Sequence, residues 1–173
     1  PGMRPAALDH CRVLELGCAS GGNLIPMAVE FPDSAFVGID LSARQIAAGH
    51  AAVQSLGLRN IDLGQADILE VPDGWGVFDY IITHDVYSWV QPAVQEKILS
   101  ICKNCLAPHG VAYVSYKTFP GSHPRSAVRE MMEYHTRKIA EPQSRVTQAR
   151  ALLNFLADSV STDRVGYRML VKE

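Results

Sequence analysis

Long apolar runs are missing from this 173-residue chain: no window approaches the uninterrupted length of a membrane span, and nothing at its start resembles a basic-then-apolar export signal. A soluble, cytoplasmic protein without membrane insertion is expected. Cysteine is also sparse, and Cys11, Cys18, Cys102 and Cys105 make no disulfide framework in a chain of this size. Cys102 and Cys105 form a C-x-x-C late in an expected helix with no second ligand pair nearby, which reads as packed, reduced thiols and no metal site. Internal repeats and low-complexity tracts are absent as well. What the chain does have is 47% hydrophobic residues, enough to bury a real core.

The net charge of −2 conceals an asymmetry. Residues 1–116 carry 6 Lys and Arg against 12 Asp and Glu, whereas residues 117–150 carry 7 against 3. The basic part reads as the solvated face of amphipathic helices rather than as a nucleic-acid footprint.

The most informative stretch is Arg12 to Gly22, RVLELGCASGG. Val13, Leu14 and Leu16 read as a strand buried on both faces, running into a small-residue turn and then a helix from about Gly21 to Phe31. Such a turn offers backbone amides to an anionic group, and Gly17, Ala19, Gly21 and Gly22 leave room for a ligand to touch the main chain. Glu15 changes the preference: a carboxylate there repels phosphate and attracts an amino group or a sulfonium cation. Two fingerprints compete, G-x-A-x-x-G for a dinucleotide and E-x-G-x-A-x-G for S-adenosylmethionine.

The chain then alternates strand and helix. Ser34 to Asp40 is a second strand, and Asp40, 18 residues beyond Gly22, has the spacing at which an acid meets ribose hydroxyls. Ser42 and Gln45 have capping-box spacing for a helix whose small and apolar face is Ile46, Ala47, Gly49, Ala52, Val53 and Leu56. Asn60 to Gly64 is a short third strand. Asp67, just past its end, can accept from the exocyclic amine of adenine while Ile68 covers the ring. Phe78 to Thr83 delivers the polar segment HDVYSWV, His84 to Val90; Pro92 opens a helix to about Leu106, Pro108 and Gly110 break it, and Val111 to Tyr116 is a fifth strand.

Five such alternations with right-handed crossovers make a doubly wound, Rossmann-like parallel sheet of the α/β class. Its ligand belongs at the carboxyl ends of the strands, where Gly17 to Gly21, Asp40, Asp67, His84 to Trp89 and Tyr116 to Phe119 all fall. Beyond Thr118 a turn-rich linker leads to helices over Pro124 to Ile139, with Val128, Met131, Met132, His135 and Ile139 on one face, and over about Gln143 to Val160. These read as a helical cap or an oligomer contact.

With these motifs in order, the chain resembles the class I S-adenosylmethionine-dependent methyltransferases. VLELGCASGGNLIPMA, FVGIDLSARQI, ADIL, FDYIITHDVYSWV and GVAYVSYKTFPG look more narrowly like bacterial methyltransferases with a C-terminal regulatory domain, a group that includes rickettsial-type protein lysine methyltransferases. The resemblance implies that Gly17, Ala19, Ser20 and Gly21 line the methionine part of the cofactor, with Glu15 helping to hold its amino end. It places Asp40 on the ribose, Leu41 beside the adenine, Asp67 and Ile68 on its amine and face, and His84 on the amino-acid part through its carbonyl. Asn23 and Gln45 join the same shell.

Residues 1–116 are then the cofactor-binding core and 117–173 a helical cap or linker of a longer chain, without the antiparallel strands that normally close this fold. The methyl acceptor is unspecified and possibly a protein lysine, with S-adenosylhomocysteine as the spent cofactor. His84, Asp85, Tyr87 and Tyr116 are the polar groups near the expected methyl position, and Tyr87, Trp89 and Tyr116 are the expected substrate contacts, their aromatic faces suited to an ammonium-bearing chain. A small-molecule O- or N-methyltransferase, an NAD-dependent oxidoreductase and a non-enzymatic cofactor-binding module are the alternatives.

Overall fold

The structure is a computed structural model, and it describes residue 2 and residues 4–159. It divides into two compact units, Pro1–Tyr116 and the segment from Lys117 onward.

The first unit is a five-stranded parallel sheet in the order β3-β2-β1-β4-β5, with β1 at Arg12–Leu16, β2 at Ala35–Asp40, β3 at Ile61–Gln65, β4 at Phe78–Thr83 and β5 at Leu106–Val114. Strand order reverses between β1 and β4, which opens a crevice at their carboxyl ends. β1 is buried on both faces because it is central. Leu14 and Leu16 join Ile39, Phe78 and Ile81 under helix α3 (Pro92–Cys105). Val13 joins Phe36, Leu24, Ala28 and Ile46 under helices α1 (Leu24–Glu30) and α2 (Ala43–Ser55).

Several boundaries differ from the sequence expectation. Helix α1 starts at Leu24, because residues 17–23 are consumed by the turn, and Pro26 therefore sits in its first turn, where the missing N–H costs nothing. Ser42 caps α2 as expected, accepting from the Gln45 amide at 3.4 Å. The buried contacts of α2 narrow to Ile46 and Gly49, while Ala47 and Leu56 face solvent. A Cβ on Gly49 would stand 2.6 Å from Leu63 Cδ1 and 2.9 Å from the Ser20 carbonyl oxygen, so the helix rests directly on the turn after β1.

The fifth strand begins at Leu106 rather than Val111. Leu106 pairs with Phe78 and Val111 with Tyr80, so residues 107–110 bulge out between them and Pro108 and Gly110 interrupt the ladder instead of separating helix from strand. All four cysteines are buried and free. The amino-terminal ends of the strands carry a polar tie: Asn60 Nδ2 donates to the carbonyls of Ala28, Phe31 and Ser34 at 3.0, 3.1 and 3.1 Å.

The second unit is a helical pair, α4 (His123–Thr136) and α5 (Pro142–Ser159). Val128 and Thr136 are its buried residues on α4, whereas His135, expected on the inner face, is exposed. Thr136 is accommodated there because its hydroxyl donates to the Met132 carbonyl at 2.8 Å. Val160, the expected end of the second helix, lies outside the described residues. No described helix is long and apolar enough to cross a membrane.

Candidate active site

The turn after β1 is built on its neighbour strand. The amides of Gly17 and Cys18 both donate to the Ile39 carbonyl, at 2.8 and 3.0 Å, and the Gly21 amide closes the turn on Cys18 at 2.8 Å. Gly17 has φ +78°, and a Cβ there would stand 2.4 Å from Val86 Cγ2, so backbone conformation and the approach of the β4 loop both require glycine. Ala19 holds φ +50° in the position where a glycine would be unstrained. Its amide donates to Asp40 Oδ2 at 2.9 Å, and the Ser42 amide donates to Asp40 Oδ1 at 2.8 Å. Asp40 is thereby aimed by backbone, and each oxygen keeps lone-pair capacity for a ligand hydroxyl.

Glu15 projects from β1 on the α1 side and is 3% exposed. Oε1 accepts from Asn23 Nδ2 at 3.2 Å, whereas Oε2 is buried without a partner. Burial pushes the carboxyl above its ordinary pKa of 4.5, against the Asn23 hydrogen bond and nearby His84, which pull it down. The same burial, with the Glu15 and Asp40 carboxylates nearby, pushes the Cys18 thiol up to about 12. Cys18 is therefore a packing group and no nucleophile at neutral pH.

Next to Asp40, Leu41 is 69% exposed, a large apolar side chain held at the crevice edge. Its carbonyl accepts from Gln65 Nε2 at 3.4 Å, which links β2 and β3 at their tips. Asp67 caps a single 3-10 turn (Ile68–Glu70), Oδ1 accepting from the Leu69 amide at 2.9 Å, and Ile68 is half-buried beside it.

Beyond β4, His84 is exposed and stacks on Tyr113 of β5 at 6.0 Å. Asp85 has φ +54°, Val86 abuts Gly17, and Tyr87–Trp89 form a second 3-10 turn. The Tyr87 and Tyr116 rings meet at 6.3 Å and 59°. Trp89 donates its indole N–H to Asp85 Oδ1 at 3.2 Å, and the Asp85 amide donates to Ser115 Oγ at 2.7 Å.

A hollow of about 470 Å³ runs along the α1 face of β1, β4 and β5, from Leu8, Cys11 and Phe31 at the amino-terminal side of the sheet. Its lining is apolar, including Val13, Met27, Tyr80, Ile82 and Tyr113, and it reaches the tips only through Asn23 and His84. The polar groups that select a ligand lie at the tips and not in this hollow.

The expected residues thus fall at one edge of the sheet: Glu15, Gly17, Ala19, Ser20, Gly21 and Asn23 after β1, Asp40, Leu41 and Gln45 after β2, Asp67 and Ile68 after β3, His84, Tyr87 and Trp89 after β4, and Tyr116 after β5. Two contributors carried no sequence signal. Val86 looks like any apolar loop residue, and Ser115 lies one residue beyond β5 with nothing to mark its partner.

The donor set fits S-adenosylmethionine. The orphaned, buried Glu15 oxygen suits an amino group and would repel a phosphate, and Asp40 suits a ribose diol. The methyltransferase-domain family matches residues 13–110. The uncharacterized protein RP789 of Rickettsia prowazekii is 42% identical over 99% of this chain, which spans 31% of that protein. RP028 of the same organism is 36% identical over 99% of the chain, here 69% of its length. The structure of PKMT2 from Rickettsia typhi in complex with AdoHcy superposes with a TM-score of 0.82 at 37% identity, covering 99% of this chain and 34% of PKMT2. The chain spans about a third of two of these three relatives. It belongs to the class I S-adenosylmethionine-dependent methyltransferases.

Proposed function

We propose that this chain is the cofactor-binding core of an N-methyltransferase acting on protein lysine. The observation that carries the cofactor half is Glu15, whose buried Oε2 has no partner and can receive the cofactor's amino group. Support for the acceptor half comes from the similarity to Rickettsia typhi PKMT2 and from the aromatic side chains at the tips of β4 and β5.

In this reading Gly17, Ala19, Ser20 and Gly21 line the methionine part, Glu15 holds the amino end, and the His84 carbonyl, Asn23 and Gln45 complete that shell. Asp40 accepts from the ribose hydroxyls, Leu41 packs beside the adenine, and Asp67 with Ile68 reads its amine and face. When bound, S-adenosylmethionine supplies an electrophilic methyl on a sulfonium. The protein's part is orientation: holding an acceptor nitrogen in line with that methyl converts an encounter into a positioned reaction. Tyr87, Trp89 and Tyr116 hold the acceptor chain, and the exposed loop leaves the displaced amine proton a path to solvent. Reduced, buried thiols accord with a cytoplasmic setting.

Radiolabelled methyl transfer by the full-length chain into cell extract tests this directly. Label in protein that disappears when acceptor lysines are substituted supports the lysine reading. Label confined to RNA or small acids overturns it, and cofactor binding with no transfer at all favours a non-enzymatic binding module.

A further inference from the structure

Asp85 is held more firmly than a loop residue needs. Its backbone sits at φ +54°, a region unfavourable for side chains other than those of glycine, asparagine and aspartate. Its amide is fixed to Ser115 Oγ at 2.7 Å and its Oδ1 to the Trp89 indole at 3.2 Å. Oδ2 carries no hydrogen bond, and no lysine or arginine lies within ion-pair distance among the described residues. The side chain is exposed.

Asparagine would meet every one of these structural demands. It tolerates the left-handed backbone at least as well, and its amide oxygen can accept from Trp89. What aspartate adds is a negative charge and a second acceptor, both directed away from the latch. The location gives that charge a use. The next residue, Val86, abuts Gly17 in the cofactor turn, and the Tyr87 and Tyr116 rings stand 6.3 Å apart at the same strand tips.

We propose that Asp85 is the charge anchor for the methyl acceptor: Oδ2 accepts a hydrogen bond from the ammonium group of the incoming side chain while the neighbouring tyrosines flank its alkyl stem. This deepens the lysine reading and rests on it. A carboxylate beside aromatic faces selects a compact cation on an apolar stem over a neutral isostere, because the charge-assisted bond is lost with the neutral group. Asp85 forms no bond to carbon and takes no part in the displacement itself. It decides which side chains arrive.

The test uses the full chain saturated with S-adenosylhomocysteine, titrated by NMR with N-acetyl-lysine methylamide and separately with its norleucine counterpart. Wild-type protein is expected to prefer the lysine compound by about 10- to 100-fold. Asp85→Asn, which keeps the backbone and the Trp89 contact, is expected to lose that preference while its S-adenosylhomocysteine affinity stays within about twofold. Absence of the preference in wild-type protein, or its persistence in Asp85→Asn, overturns the proposal. Methyl transfer distinguishes the role of Asp85 from the choice of lysine as acceptor. Equal lysine labelling by both proteins at equal KM leaves the lysine reading standing and removes Asp85, whereas label only on non-amine acceptors removes both.

Discussion

Gly17 and Val86 are in contact across the crevice: a Cβ on Gly17 would lie 2.4 Å from Val86 Cγ2. The turn after β1 and the loop after β4 are therefore fitted to each other before any ligand arrives. Gly17→Ala adds a methyl group to this contact and strains a backbone at φ +78°. Left-handed strain of about 1–2 kcal/mol and overpacking of about 1–3 kcal/mol predict a loss of roughly 2–5 kcal/mol in thermal or denaturant unfolding. S-adenosylhomocysteine affinity should fall with it. A variant that melts and binds like wild type would show that the two segments are not mutually fitted.

Glu15 makes the unliganded protein sensitive to pH. Burial holds its folded-state pKa above the ordinary 4.5, so the folded chain keeps a proton that the unfolded chain releases. Stability from this group is present below 4.5, declines as pH rises through the raised folded value, and is absent above it. Glu15→Gln should therefore stabilise the unliganded protein at neutral pH and have little effect near pH 4, as read by denaturant unfolding at both pH values. A cation on Oε2 reverses the preference for the neutral carboxyl. Binding of S-adenosylhomocysteine should tighten from acid towards neutral pH and release a proton, measurable by calorimetry in buffers of different ionisation enthalpy. Proton uptake on binding would contradict the assignment.

Asn60 tests the separation of stability from function along the strands. Its amide ties three carbonyls at the amino-terminal end of the sheet, remote from the ligand edge. Asn60→Ala removes all three bonds, with the Phe31 carbonyl keeping the Ser34 amide as its donor, at an expected cost of about 1–3 kcal/mol in unfolding free energy. S-adenosylhomocysteine affinity, measured well below the melting temperature, should not change. A parallel loss of affinity would place the two ends of the sheet in one cooperative unit.

How much of this was legible follows from what sequence patterns encode. The alternation of apolar strands and amphipathic helices specified a parallel doubly wound sheet, and that topology forces Glu15, Asp40 and Asp67 to one edge. Local chemistry also read correctly where it is self-contained, as in the Ser42 cap on the Gln45 amide. Features set by distant partners did not show. Pro108 and Gly110 punctuate strongly, yet β-pairing of Leu106 with Phe78 pulls them into a bulge within β5. The apolar pattern of α4 put His135 inside, but Thr136 takes the buried place by bonding its hydroxyl to the Met132 carbonyl. Asp85 is legible only as one of four polar groups near the expected methyl position, since neither its left-handed backbone nor the Ser115 contact leaves a mark in the sequence.

The central claim is that the strand tips grip an adenosine-bearing cofactor, and Asp40 is its most exacting point. Both Asp40 oxygens accept from backbone amides, so Asp40→Asn must turn a donor towards either Ala19 or Ser42. A calorimetric titration of wild-type and Asp40→Asn protein with S-adenosylhomocysteine, with NADH as the competitor, is the direct measurement. Saturable binding of S-adenosylhomocysteine by wild type, weakened about 10- to 100-fold in Asp40→Asn and undisturbed by NADH, is the predicted result. Equal affinity in both proteins, or displacement by NADH, would contradict it.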